Sequence, residues 1–112
     1  MDAVVGRSRL PSTKDRSQLP YTEATIMEIQ RISAIVPFSV PRDTSVDTTL
    51  QGYDIPKGTM IMPNLWAILH DENIWKEPHK FNPDRFLNGD GKVVHREELT
   101  PFGAGMACII RS

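Results

Sequence analysis

Residues 19–32 read LPYTEATIMEIQRI and predict one long, uninterrupted helix, against which the other segments are expected to pack. Pro20 suits the first helical position, where its missing N–H costs nothing, and no helix-breaking residue follows it. On a helical wheel, apolar side chains occupy two opposite sides and leave only a narrow polar stripe. These side chains are Ala24, Met27 and Ile32 on one side and Ile26 and Ile29 on the other. A helix that is apolar on two sides is mostly buried, so we predict a buried helix over residues 20–34.

Glu28 and Arg31 are three residues apart on this helix and are therefore neighbours on one face. The wheel places them between Ala24 and Met27, within the buried arc. This position favours a buried ion pair over the alternative, a solvated pair that contributes ~0.2–0.5 kcal/mol. A buried guanidinium has several donors to satisfy, so we expect a third hydrogen-bonding partner from elsewhere in the chain.

The residues before and after the helix predict a surface connection and an extended segment. Residues 1–19 are largely polar and indicate a surface connection with no core of its own. Residues 35–63 begin with an apolar run that holds two prolines, which excludes a central strand but allows an extended edge or a cavity-lining loop. Strands at residues 48–55 and 59–62 then flank the turn signal at residues 56–58 and predict a hairpin.

The rest of the chain predicts short helices, a meandering segment and a loop around the single cysteine. Asn64 can cap the first of the short helices, which we place over residues 64–76. Residues 77–100 are irregular and aromatic, with little regular structure. In residues 101–112, glycines and alanines beside Cys108 let the backbone approach a large flat ligand closely. The cysteine itself is either a small buried hydrophobe or a metal-ligating thiolate steadied by backbone N–H groups.

Composition excludes several classes of protein. Apolar residues make up 39% and charged residues 24% of the chain, the balance of a globular piece. Thirteen Lys and Arg against fourteen Asp and Glu leave no basic cluster for a phosphate backbone, so we expect no nucleic-acid partner. One cysteine cannot form an intrachain disulfide. No apolar run approaches the roughly 20 residues that span a bilayer, and the first residues are charged too soon for a signal peptide.

Three motifs in order along the chain resemble those of the cytochrome P450 superfamily. Residues 28–31 are similar to its E-x-x-R motif, residues 81–86 to its F-x-P-x-R-F segment, and residues 102–108 to its haem-binding signature. The resemblance runs from about Asp2 to Cys108, is strongest to the microsomal family 2 enzymes, and corresponds to their C-terminal part. It implies an α+β fold class, a C-terminal fragment of the mainly helical P450 fold. The expected parts are one long buried helix, a small β-hairpin sheet, a meander and a cysteine loop, with residues 101–112 as a truncated haem-binding loop.

The resemblance also implies roles for individual residues. The structural triad consists of Glu28, Arg31 and Arg85, and Arg85 is then the third partner expected for the buried pair. The cofactor is haem, and its binding candidates are Arg42, Phe102, Gly105 and Cys108. Cys108 is the expected axial ligand of the iron, and Arg42 is expected to meet a haem propionate. The candidates for lining the substrate pocket are Val36, Phe38 and Val40, for which a place in the plain core is the alternative.

The cysteine loop departs from the family signature F-x-x-G-x-R-x-C-x-G. Gly105 and Cys108 are separated by two residues instead of three, and the signature arginine is missing. Its loss removes a charge-assisted contact to a haem propionate worth ~1.5–3 kcal/mol. Ile110 stands where a glycine follows the cysteine in the family.

Two functional interpretations follow from the resemblance. In the first, the chain is a fragment of a haem-dependent monooxygenase that inserts one atom of O2 into a lipophilic small molecule. Its electrons come from an NADPH-dependent reductase, at the cytosolic face of the endoplasmic reticulum membrane. Contact with the membrane is expected only through an N-terminal anchor that this sequence lacks, and the fragment alone is expected to be inactive. In the second, the chain is a truncated, non-catalytic remnant without stable haem, with a binding or interaction role. A thiol enzyme that pairs Cys108 with His79 or His95 has no supporting spacing.

Overall fold

A computed structural model of the chain describes residues 2–6 and 8–101. Phe102, Gly105 and Cys108, the cofactor candidates of the cysteine loop, lie outside the described residues. The helices are α1 (Asp2–Val5), α2 (Pro20–Ser33) and α3 (Leu65–Leu69), with 3-10 helices at Thr13–Gln18 and Pro83–Phe86. The strands are β1 (Arg42–Asp43), β2 (Thr48–Leu50), β3 (Tyr53–Ile55) and β4 (Met60–Ile61).

Helix α2 begins at Pro20, as predicted, and ends where Ala34 adopts a left-handed backbone conformation with φ 37°. Its buried face carries Ala24, Met27, Glu28 and Arg31. The opposite face is not buried: Ile26 and Ile29 are 47% and 48% exposed. The prediction of a mostly buried helix is therefore wrong for one of the two apolar sides. The described residues therefore bury one face of α2 and leave Ile26 and Ile29 on the other about half-exposed.

The strands form two small antiparallel sheets. In the first, β1 pairs with β4, so that Arg42 lies opposite Ile61. In the second, β2 and β3 form a hairpin whose turn is Gln51-Gly52. Both turn residues have positive φ, 50° and 85°, which is the geometry of the tight turns that suit the twist of a two-stranded hairpin.

The predicted hairpin around residues 56–58 is wrong in its pairing. The turn itself forms, because the Thr59 N–H donates to the Pro56 carbonyl at 3.2 Å and Gly58 has φ 81°. However, Gly58 N–H donates to the carbonyl of Thr44 at 2.8 Å, and Thr44 N–H donates to the carbonyl of Thr59 at 3.1 Å. These bonds dock the turn onto the residue that follows β1, so β4 pairs with β1 instead of β3.

Helix α3 spans five residues, and the Asn64 side chain caps it by accepting a hydrogen bond from Ala67 N–H at 3.1 Å. This confirms the predicted cap. The second short helix predicted within residues 70–76 is absent from the described structure, which has hydrogen-bonded turns there. The chain then meanders through residues 77–100, as predicted, except for the 3-10 helix Pro83–Phe86.

The hydrophobic core lies between the buried face of α2 and the meander. Trp75 and Phe86 are fully buried, and their ring centroids are 5.7 Å apart. They pack with Ala24 and Met27 of α2. The partly buried side chains that complete this core are Ile74, Leu87, Val93 and Leu99. The core therefore fastens the meander to the helix that carries Glu28 and Arg31.

The N-terminal segment is more ordered than the predicted surface connection. Ser12 and Asp15 form a capping box at the start of the 3-10 helix, and Arg9 donates to both Asp15 oxygens at 2.7 and 2.8 Å. The bonds from Arg9, followed by the backbone N–H of Ser12, lower the pKa of Asp15 to about 2. The prediction missed this arrangement because its residues are polar and local, which also describes an unstructured connection.

Candidate functional site

Glu28, Arg31 and Arg85 form a densely hydrogen-bonded cluster of side chains. Arg31 donates from Nε to Glu28 Oε2 at 2.8 Å and from Nη2 to Oε1 at 3.0 Å, a two-point contact. Both side chains are 0% exposed, in agreement with the buried pair that the helical wheel predicts. Arg85 adds a third charge, because its Nε donates to Glu28 Oε1 at 3.1 Å.

The cluster is satisfied largely by backbone groups from distant parts of the chain. Arg31 donates from Nη1 to the Leu69 carbonyl at 2.7 Å and from Nη2 to the Pro78 carbonyl at 2.6 Å. Glu28 accepts a further bond from the Asn82 N–H at 3.0 Å. Arg85 donates to the carbonyls of Lys76, Glu77 and Lys80. A buried ion pair costs desolvation, and these bonds offset that cost by satisfying the remaining donors.

The cluster also fixes the relative positions of three segments. Its bonds join α2 to the end of α3 and to residues 76–85, across sequence separations of 38 to 57 residues. Two arginines on one carboxylate leave an excess positive charge, which the carbonyl dipoles around the guanidinium groups stabilise. Within this arrangement the side chains of Glu28 and Arg31 are 0% exposed, and that of Arg85 is 9% exposed.

Trp75 lies beside the cluster and was not predicted as part of it. The guanidinium carbon of Arg31 is 5.4 Å from the Trp75 ring centroid, and that of Arg96 is 5.2 Å from it. The indole N–H donates to the Ile68 carbonyl at 2.9 Å. Cations above an aromatic face are attracted to it, more strongly where water is excluded. The position of this tryptophan, shortly before the F-x-P-x-R-F segment that contains Arg85, is the sequence signal that could have predicted its place beside the cluster.

The predicted substrate-lining segment lies along residues 63–66, which lead from β4 into α3. Phe38 forms a bridge with Asn64, and the buried Ser39 donates from its N–H to the Pro63 carbonyl at 3.0 Å. Val36 is partly buried, whereas Phe38 and Val40 are 50% and 69% exposed. The side chains of Phe38 and Val40 therefore lie outside the core of the described residues. Together they form an exposed apolar strip.

Arg42 is the only cofactor candidate within the described residues. It is half-buried at the start of β1, two residues after the exposed Val40. A cation bordering an apolar strip suits a ligand that is apolar over its ring and carries carboxylates at its edge. The structure thus separates the predicted site residues into two groups: Glu28, Arg31 and Arg85 in contact, and Arg42 with the apolar strip in another region.

A family model described as Cytochrome P450 matches residues 1–109. The chain belongs to the cytochrome P450 family. The P450 fold is therefore the fold of this chain, and the three α-helices and two small antiparallel sheets of its described residues are consistent with an α+β fragment of it. The P450 family consists of haem-thiolate monooxygenases, so haem is its cofactor and oxidation its class of reaction.

Curated relatives support the same family and indicate a likeness to family 2. Cytochrome P450 2U1 from Bos taurus is 54% identical over 102 residues, which are 91% of this chain and 19% of that protein. The Homo sapiens P450 2U1 is 50% identical over 94% of this chain and 19% of its own length. Cytochrome P450 1A2 from Oryctolagus cuniculus is 48% identical over 94% of this chain and 21% of its own length. This P450 chain spans about a fifth of the relatives it matches.

Within residues 2–6 and 8–101 of this P450 chain, no helix has the length and apolar character needed to cross a membrane. Within the same ranges, no group of three or more His, Cys, Asp or Glu side chains is placed to hold a metal ion.

Proposed function

We propose that the chain is part of a haem-dependent monooxygenase that oxidises a lipophilic organic substrate with one atom of O2. The observation that carries this proposal is the match to the P450 family over residues 1–109. The folded Glu28–Arg31–Arg85 cluster supports it, because the same residue types at these positions carry the family resemblance.

In this proposal the cysteine loop and Arg42 hold the haem. Cys108 would supply the thiolate that ligates the iron, and Phe102 and Gly105 are the other cofactor-binding candidates of residues 101–112. Arg42 binds a propionate through its guanidinium, a charge-assisted contact for which arginine is well suited. When bound, the haem supplies the activation of O2.

The remaining protein groups position the substrate and the support beneath the cofactor. Val36, Phe38 and Val40 contact the substrate. This role accounts for the exposure of Phe38 and Val40, which form the apolar strip. Glu28, Arg31 and Arg85 hold the meander against α2 and take no part in the chemistry. The electron donor is an NADPH-dependent reductase, and the site of action is the cytosolic face of the endoplasmic reticulum.

A second candidate is a non-catalytic remnant that binds no stable haem. The observation that favours it lies in the cysteine loop, where two residues instead of three separate Gly105 from Cys108. The shorter spacing lacks the signature arginine, so Arg42 is left as the one candidate for a propionate contact. Under this alternative the support folds, while the chain has a binding or interaction role.

Reconstitution of the 112-residue chain with haem distinguishes the two candidates. We expect the reduced, carbon monoxide-bound sample to show the strongly red-shifted Soret band of thiolate ligation. Cys108→Ser is the control, and it should abolish that band while leaving the far-UV circular dichroism unchanged. A spectrum without the band, or one that Cys108→Ser does not alter, overturns the assignment of Cys108 as the ligand and favours the remnant.

A further inference from the structure

The turn at residues 88–92 contains the one asparagine of the chain that a glycine follows. The other asparagines, at positions 64, 73 and 82, precede leucine, isoleucine and proline. Asn88 and Gly89 are both exposed, and a Cβ atom built on Gly89 would meet nothing within 4 Å. This pair of residues is therefore open to solvent, and the proposed function gives it no role.

An asparagine followed by a glycine can form a cyclic imide without an enzyme. The backbone nitrogen of Gly89 loses its proton and bonds to Cγ of Asn88. The bond from Cγ to Nδ2 breaks, and Nδ2 takes up a proton and leaves as ammonia. Water then opens the imide on one of its two sides, which gives aspartate or isoaspartate. Glycine favours the reaction because its backbone is permissive and it has no Cβ to hinder the attack.

The hydrogen bonds of the folded turn oppose this reaction. Oδ1 of Asn88 accepts from the Asp90 N–H at 3.0 Å and from the Lys92 N–H at 2.8 Å. The carbonyl of Asn88 accepts from the Gly91 N–H at 2.9 Å, which holds its backbone. The imide ring is nearly flat, so its closure requires the Asn88 side chain to leave its staggered rotamer. That rotation moves Oδ1 away from both of its donors.

We propose that Asn88 is a deamidation site whose rate is controlled by opening of the turn at residues 88–92. The net effect of one hydrogen bond on an equilibrium is about 3–10-fold, so breaking the two bonds to Oδ1 slows the reaction by about 10–100-fold. Exposed turns open locally at a much smaller cost than the whole fold. The reaction therefore proceeds in the folded chain, but more slowly than in an unfolded peptide.

The two products differ in their effect on the meander. Aspartate keeps a side-chain oxygen where Asn88 has Oδ1. Isoaspartate carries the Cβ atom of residue 88 in the main chain, which lengthens the turn by one carbon. The turn joins Leu87 to Val93, which form a bridge and both pack against the hydrophobic core. Isoaspartate therefore disturbs a core contact of the meander, whereas aspartate preserves it.

The test measures deamidation by mass spectrometry in the 112-residue chain without haem, so it is independent of the proposed function. Trypsin cleaves after Arg85 and Lys92 and releases residues 86–92, whose only asparagine is Asn88. A synthetic peptide of residues 86–92 gives the rate without the folded turn. We expect the folded chain to react about 10–100-fold more slowly than the peptide, and Asn88 to react faster than the other asparagines. Equal rates in the chain and the peptide, a faster rate in the chain, or a faster reaction at another asparagine overturns the proposal.

Gly91→Ala loosens the turn without changing the reacting pair. Gly91 has φ 71°, which strains any residue that has a Cβ, so the variant should accelerate deamidation of the folded chain by about 5–30-fold. The same substitution in the peptide should have little effect. Gly52→Ala is the matched control, because Gly52 has φ 85° in the separate hairpin of β2 and β3, and it should leave the rate at Asn88 unchanged. An unaltered rate in Gly91→Ala, or an equal acceleration by Gly52→Ala, shows that this turn does not control the reaction.

Discussion

Replacing Glu28 by glutamine removes the one negative charge at the centre of the buried cluster. Its carboxylate accepts four hydrogen bonds, two from Arg31, one from Arg85 and one from the Asn82 N–H. The amide oxygen of glutamine can replace Oε1. Its NH2 group then takes the place of Oε2, which accepted the hydrogen bond from Arg31 Nε. Donor then meets donor, and the guanidinium groups of Arg31 and Arg85 lose their counter-charge, which costs most for the fully buried Arg31.

Breaking a buried ion pair by removing one partner costs about 3–5 kcal/mol, which is a large part of the 5–15 kcal/mol typical of a folded domain. With a urea m-value of about 1–3 kcal/mol/M, Glu28→Gln should lower the urea midpoint by at least about 1 M. The fluorescence of the fully buried Trp75 reports the transition, in a Trp66→Phe background that removes the other tryptophan.

Glu77→Gln is the matched control for this prediction. Glu77 and Lys80 form an ion pair at 3.6 Å whose side chains are 61% and 67% exposed. The same chemical change at an exposed pair should alter stability by less than about 1 kcal/mol. If Glu28→Gln lowers the midpoint no further than Glu77→Gln does, the cluster does not hold α2 to the meander, and the support assigned to it is refuted.

Three other predictions test separate parts of the chain. The lowered pKa of Asp15, about 2, means that its contribution to stability is present above its ordinary value of 3.8 and is lost as the pH falls toward 2. When the urea midpoint is measured at decreasing pH, the Asp15→Asn variant should lack this loss of stability. Gly58→Ala should destabilise by about 1–2 kcal/mol because Gly58 has φ 81°, whereas Gly89→Ala, at ordinary φ and in open space, should change the same midpoint little. Inserting an arginine between Met106 and Ala107 restores the family spacing, and a contact of ~1.5–3 kcal/mol should tighten haem binding by about 10–100-fold in a spectroscopic titration; equal affinities would show that the inserted side chain meets no propionate.

Features set by neighbours along the chain were predictable from the sequence. The burial of Glu28 beside Arg31 follows from helical spacing, and the cap at Asn64 follows from a side chain that reaches the first turn of its own helix. The exposure of Ile26 and Ile29 was not predictable, because a wheel identifies an apolar face and cannot tell what covers it.

The pairing of segments that are distant in the sequence could not be predicted either, for a related reason. A turn signal at residues 56–58 indicates that the chain reverses, but which strands then pair depends on hydrogen bonds to Thr44, twelve or more residues earlier. The hydrogen bonds from Arg31 to the carbonyls of Leu69 and Pro78 were equally unpredictable, because every residue has a backbone carbonyl. The third charged partner, Arg85, entered through the family resemblance alone.

The support and the proposed haem ligand are separable in this chain. Every hydrogen bond described for the cluster joins residues between positions 28 and 85, whereas Cys108 follows residue 101 in the sequence. A loop that lacks the signature arginine can therefore fail to hold haem while the cluster still holds the meander to α2. The two candidate functions then differ at one place, the cysteine loop, and measurements on the fold cannot discriminate between them. Cys108→Ser should accordingly leave the urea midpoint of the haem-free chain unchanged, and a lowered midpoint would show that the loop takes part in the support.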